Sequence, residues 1–137
     1  MKKLIAPAFL SGLSMLAAGI AIGYLFDFLI PSLKTEYENT ALYRSMDDPL
    51  MYLFFIQPFV VCGTLVWGWA RIKDHFTGST GSKAFQVALI MFFLTVIPGM
   101  LMTFSSFKVS AMATATWTVM GFFQVLVASL VFIRMSK

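Results

Sequence analysis

The stretch Leu4–Ile30, LIAPAFLSGLSMLAAGIAIGYLFDFLI, decides the fold. It runs past the ~20 residues a helix needs to cross a hydrocarbon core, and its one charged residue, Asp27, comes about one turn before its end. Three further apolar stretches follow, over residues 49–70, 84–104 and 111–133. Composition agrees, with 59% of the 137 residues hydrophobic and 12% charged, roughly half the charged fraction of a soluble domain. The expected fold is all-α, a single four-helix transmembrane bundle over residues 1–137 with no soluble domain.

Met1-Lys2-Lys3 followed by an apolar run containing Ala17, Ala18, Gly19 and Ala21 imitates a secretory signal. A signal's apolar core is ~7–15 residues long, whereas this run continues through Ile22, Leu25 and Leu29. It is therefore read as a retained helix. Seven of the ten basic residues, Lys2, Lys3, Arg71, Lys73, Lys83, Arg134 and Lys137, fall at one end of the bundle, and Lys34, Arg44 and Lys108 at the other. The excess of Lys and Arg stays inside, so both termini are expected in the cytoplasm, at a bacterial inner membrane. The net charge of +4 follows from that orientation, and nucleic acid is not an expected partner; the expected partners are the lipid bilayer and a second copy or another membrane protein.

Pro31 is expected to stop the first helix, and Thr35 and Glu38 have the spacing of a capping box. Leu33, Tyr37, Ala41 and Leu42 recur at helical spacing, which predicts a short amphipathic helix lying as a lid in the outer loop. Asp48 before Pro49 should cap the second span, with Asp47 favouring the helix dipole. Thr77–Lys83, TGSTGSK, has neither the spacing nor the strand of a phosphate-binding loop and is read as a flexible linker. The connection Ser105–Ser110 is short enough to make the third and fourth spans antiparallel neighbours.

Within the spans, Gly12, Gly19 and Gly23 on the first helix are the expected close-packing positions, Gly19 and Gly23 forming a GxxxG pair. Pro58 and Pro98 are expected to kink the second and third helices. Asp27, Gln57 and Gln124 are the notable intramembrane polar residues, and Gln57 and Gln124 are expected to meet at similar depth. Tyr52, Trp67, Trp69, Arg71 and Trp117 are the expected interface anchors. One histidine, His75, and one cysteine, Cys62, supply no bis-histidine haem ligation, disulfide or Cys-rich metal site. No catalytic, cofactor-binding or metal-ligating residue is assigned, and no cofactor is expected.

The glycine-punctuated first helix, the segment Leu65-Val66-Trp67-Gly68-Trp69, and the Pro98-Gly99-Met100 and Met102-Thr103-Phe104 triplets make the chain similar to small four-helix bacterial membrane proteins grouped as domains of unknown function. The resemblance implies the architecture and transfers no site residue. Small multidrug transporters resemble the chain poorly, because their mid-helix glutamate has no counterpart here. The expected role is non-enzymatic, structural or accessory, as a homo-oligomer or small subunit of a membrane complex. A solute or ion pathway, and an enzyme acting on lipid or quinone, are the alternatives.

Overall fold

The structure, a computed structural model, describes residues 2–136, with side chains from Leu4 onward. The charges of Lys2, Lys3 and Lys137, used above for orientation, lie outside the described side chains. The described residues are helical, with no strand: α1 is Lys2–Leu29, α2 Pro31–Tyr37, α3 Tyr52–Ile72, α4 Thr80–Met91, α5 Ile97–Ser106 and α6 Ala111–Met135. Short 3₁₀ turns flank α3 at Pro49–Met51 and Lys73–His75, and a π-helical turn, Phe92–Val96, joins α4 to α5. Four helical stretches are thus long and apolar enough to cross a membrane: Leu4–Leu29, Pro49–His75, Thr80–Ser106 and Ala111–Met135.

Local chemistry sets these boundaries. Ile30 leaves the helical path at φ −134°, and Pro31, whose fixed φ and missing N–H suit the first position of a helix, restarts it as α2. The lid helix therefore begins at Pro31, ahead of the expected capping box. Thr35 lies inside α2 and Glu38 caps its C-terminus, while Ala41 and Leu42 stand exposed in the turns beyond it. Asp48 does cap the second span, its carboxylate accepting from the Leu50 N–H at 2.8 Å. The TGSTGSK segment is only partly a linker. Gly78 takes the left-handed φ of +98° that glycine tolerates, and Ser79 accepts from the Ser82 N–H at 3.2 Å, which starts α4 at Thr80 instead of near Ala84.

The two expected proline breaks differ. Pro58 is buried inside an uninterrupted α3, where Phe59 lies against Gly12 of α1. Pro98 instead follows the π turn, in which the Ile97 N–H reaches back to the Phe92 carbonyl. The wider turn takes up the lost bond and the clash of the proline ring with the preceding turn. Val96 of that turn lies on Gly121 of α6, where an added Cβ would come 3.0 Å from Val96 Cγ1.

Helices α1 and α6 form the central pair, with α3 packed on α1 and α4 on α6. The core is concentrated toward the termini end. Val66, Trp69, Ala84, Val87, Phe132 and Ile133 form one buried cluster, and Met15, Cys62, Ala88, Val125 and Ala128 form a second. Alanines at three of these positions, Ala84, Ala88 and Ala128, let neighbouring backbones approach. By contrast α5, at the lid end, buries no residue.

Candidate functional site

The most connected group of polar and titratable side chains lies under the lid. Leu33, 1% exposed, anchors α2 and leaves the C-terminal turn of the helix to present Glu36 and Tyr37. Glu36 Oε1 accepts the Ser110 backbone N–H at 2.9 Å and the Tyr43 O–H at 3.3 Å. Ser110 is itself the N-cap of α6, its Oγ accepting the Ala113 N–H at 3.0 Å. A carboxylate from the first loop thus sits at the positive end of the last helix, where the helix dipole favours it.

Three rings complete the clasp. Tyr37 stacks on Trp117 at 6.0 Å with 13° between planes, and Tyr43 meets both edge-on at 5.6 and 6.0 Å. Such pairs contribute about 0.5–1.5 kcal/mol each beyond the area they bury. The electrostatics follow from the geometry. Hydrogen bonds from the Ser110 hydroxyl and backbone hold the Glu36 carboxyl below its ordinary value. Burial, then the Glu36 charge, pushes the Tyr43 phenol up to about 12. Burial also raises Tyr37, and the negative charge of Asp27 adds to it. Both phenols therefore stay protonated at neutral pH, so Tyr43 remains a donor to Glu36. Nearby, Arg44 pairs with Asp48 at 2.7 Å, an exposed contact of small energetic weight.

The other expected positions fall elsewhere. Gly12 and Gly19 are close approaches, meeting Phe59 of α3 and the Gln124 side chain of α6, whereas Gly23 has nothing within 4 Å of an added Cβ. The contact face of α1 therefore runs through Gly12 and Gly19 and leaves the GxxxG pair incomplete. Gln124 lies on Gly19 of α1 and does not meet Gln57, which faces outward from α3. Gln57 is exposed and Asp27 half-buried.

Of the expected anchors, Tyr52 is 72% and Trp67 55% exposed, and the Arg71 guanidinium lies 3.7 Å over the Trp67 ring. Trp69 is instead a core residue, 5% exposed and packed against Phe76 and Phe132. Trp117 is a wall of the clasp. Cys62 is buried with its thiol 3.8 Å from Met15 Sδ, and His75 is exposed.

Sequence reasoning missed Glu36, Tyr43 and Ser110 as partners. Ser110 is separated from Glu36 by 74 residues, so no local pattern joins them. It also missed the groove of about 230 Å³ between α5 and α6, lined mainly by Ile97, Met100, Leu101, Phe104, Ala111 and Ala115. Comparison of the chain with protein-family models, with curated proteins and with solved structures returned no match.

Proposed function

We propose that this is an integral membrane protein with both termini in the cytoplasm, acting as a structural or accessory element of a membrane assembly. The observation that carries the membrane reading is the surface. Only 11–33% of the most apolar window of each long helix is buried within the chain, and side chains such as Phe28, Tyr52, Leu94 and Met102 are more than two-thirds exposed. Contiguous apolar surface on this scale is untenable in water and ordinary against acyl chains. The orientation rests on the clustering of Arg71, Lys73, Lys83 and Arg134 at the termini end.

The accessory reading is supported by the way the clasp is used. Glu36, Tyr37, Tyr43, Ser110 and Trp117 are engaged with one another and so fasten the loop to α6. Single cysteines at Asn39 and Lys108, in a Cys62→Ala background, should react with an impermeant thiol reagent from outside, and those at Ser79 and Ser136 should not. Reversal would overturn the orientation. Purification in mild detergent followed by mass spectrometry should recover a stoichiometric membrane-protein partner, this chain included. A monomer that carries solute flux in liposomes would replace the accessory reading with transport.

A further inference from the structure

Of the polar groups in the spans without a hydrogen bond among the described residues, Ser129 is buried and Gln124 half-buried against Gly19, whereas Gln57 faces outward. The hydroxyls of Thr64, Thr95, Thr103, Thr114 and Thr118 each donate to the carbonyl four residues back at 2.7–3.0 Å. They are satisfied by their own helices and ask nothing of the surroundings. Gln57 differs: it is exposed, and among the described residues its amide makes no hydrogen bond within the chain. It lies three to four residues from the middle of the helical stretch Pro49–Ile72, about 5 Å along the axis at 1.5 Å per residue. On the membrane reading, that depth is hydrocarbon, where an unpaired amide is costly.

The surface around Gln57 has the form of a helix seam. Leu53, Gln57, Val60, Thr64, Trp67 and Arg71 are all exposed on α3, and their spacing alternates four and three residues. This is the period along which two helices of like direction stay in contact. Any exposed helix face approximates that period, and the exposed face of α1, with Ile5, Phe9, Leu13 and Ile20, is wholly apolar there and suits acyl chains. The α3 face carries an amide near its centre instead. A lone polar residue within an apolar seam fixes register and partner, because only one alignment pairs it.

We propose that two copies of this chain associate in the membrane through this face of α3, with the two Gln57 amides hydrogen-bonded to each other across a two-fold axis. This rests on the membrane reading above. Copies inserted in the same direction place equal residues at equal depth, and a two-fold contact is self-complementary. An amide suits such a contact uniquely well, since each can donate N–H to the oxygen of the other. Thr64, with its hydroxyl turned to Val60 O at 3.0 Å, leaves a small, apolar-capped surface one heptad further on. Arg71 ends the seam, folded back over Trp67 with its guanidinium donating to the Trp67 carbonyl at 2.8 Å, so its charge is held on its own helix.

The test uses the full chain in native membranes, with Cys62→Ala as background and single cysteines at Val60, on the seam, or at Leu94, which is 69% exposed on the π turn. Oxidation should yield disulfide-linked dimers at Val60→Cys and few at Leu94→Cys. In detergent, sedimentation should show a dimer whose association constant falls about three- to thirtyfold in Gln57→Leu, the span of one interhelical hydrogen-bonded contact, and is largely retained in Gln57→Asn. Equal cross-linking at both positions, cross-linking from Val60→Cys to a different protein, or an association constant unmoved by Gln57→Leu would each overturn the proposal. A carbonate-resistant monomer would overturn it while sparing the membrane reading. A chain released by carbonate would overturn the membrane reading itself.

Discussion

At the termini end, Val66 and Trp69 of α3, Ala84 and Val87 of α4, and Phe132 and Ile133 of α6 close on one another as a buried cluster; at the lid end, none of the ten residues of α5 is buried. The same four helical stretches supply both ends, so the difference lies in what the side chains permit. Where Ala84, Ala88 and Ala128 face inward, backbones approach and dispersion contacts accumulate. Beyond the π turn and Pro98, α5 is led away from that arrangement. There the lid holds the end of α6 through one carboxylate, one helix N-terminus and three rings. One end is held by packing and the other by directional bonds.

The largest expected effect tests the packed end. Phe132 is fully buried, and Phe132→Ala should lower stability in detergent by about 3 kcal/mol, the low end for Phe→Ala because, on the membrane reading proposed above, the transfer term is small while the cavity remains. Phe104, 50% exposed on α5, should tolerate alanine within about 0.5 kcal/mol. Thermal unfolding of the two variants is the measurement, and equal losses would erase the contrast between the ends.

A series along α1 sharpens the boundary. Gly12→Leu should cost about 1–3 kcal/mol, because the Phe59 Cα lies 3.1 Å from an added Cβ and backbone must move. Gly19→Leu should cost less, since what it displaces is the flexible end of Gln124. Gly23→Leu, with open space beside it, should be close to neutral. A large loss at Gly23 in detergent would show that the lid half packs more tightly than its exposed surfaces indicate.

These glycines also mark how far the sequence could be followed. The four helical stretches were legible because length and hydropathy are properties of a segment by itself, and Asp48–Pro49 was legible because a cap is local. Gly19 and Gly23 look alike in sequence, four residues apart, yet only one faces a neighbour. A helical face spans more than one direction, and the partner's position decides which residue is used. Trp69 misled for the same reason: close to Trp67 and Arg71 it looks like a headgroup anchor, but a turn of about 100° per residue sends tryptophans two residues apart to opposite sides of the helix, one exposed and one in the core. The Glu36–Ser110 clasp was out of reach altogether, since its halves are chemically ordinary, stand 74 residues apart and meet only through the packing of α1 on α6.

The directional end should respond to pH as the packed end does not. Glu36 has its carboxyl pKa lowered in the fold from an ordinary 4.5. Its contribution is therefore fully present above that value and is lost as pH falls through the lower folded value. Glu36→Gln should cost about 0.5–1 kcal/mol at pH 7, the scale of a partly exposed charged group at a helix terminus. The gap to wild type should close in acid. Limited trypsin cleavage at Arg44 reports the lid at pH 7 and thermal unfolding follows the gap into acid; a gap that persists unchanged at pH 3 would mean that the carboxylate charge does not hold the lid.

The smallest effect concerns two serines of the packed end, both fully buried. Ser11 donates to the Pro7 carbonyl at 2.6 Å, whereas the Ser129 hydroxyl has no partner among the described residues. A satisfied hydroxyl contributes, while a buried one without a partner bears its desolvation uncompensated. Ser11→Ala should then lose up to about 1 kcal/mol. Ser129→Ala should be neutral or gain a few tenths, since the void left by one oxygen is small and the desolvated group is gone. Opposite signs at two buried serines would locate the polar slack of the packed end at α6. A loss at Ser129→Ala as large as that at Ser11→Ala would mean that its hydroxyl is bonded after all, by a water or by an adjusted rotamer, and that this end is as fully satisfied in its polar groups as it is filled in its apolar ones.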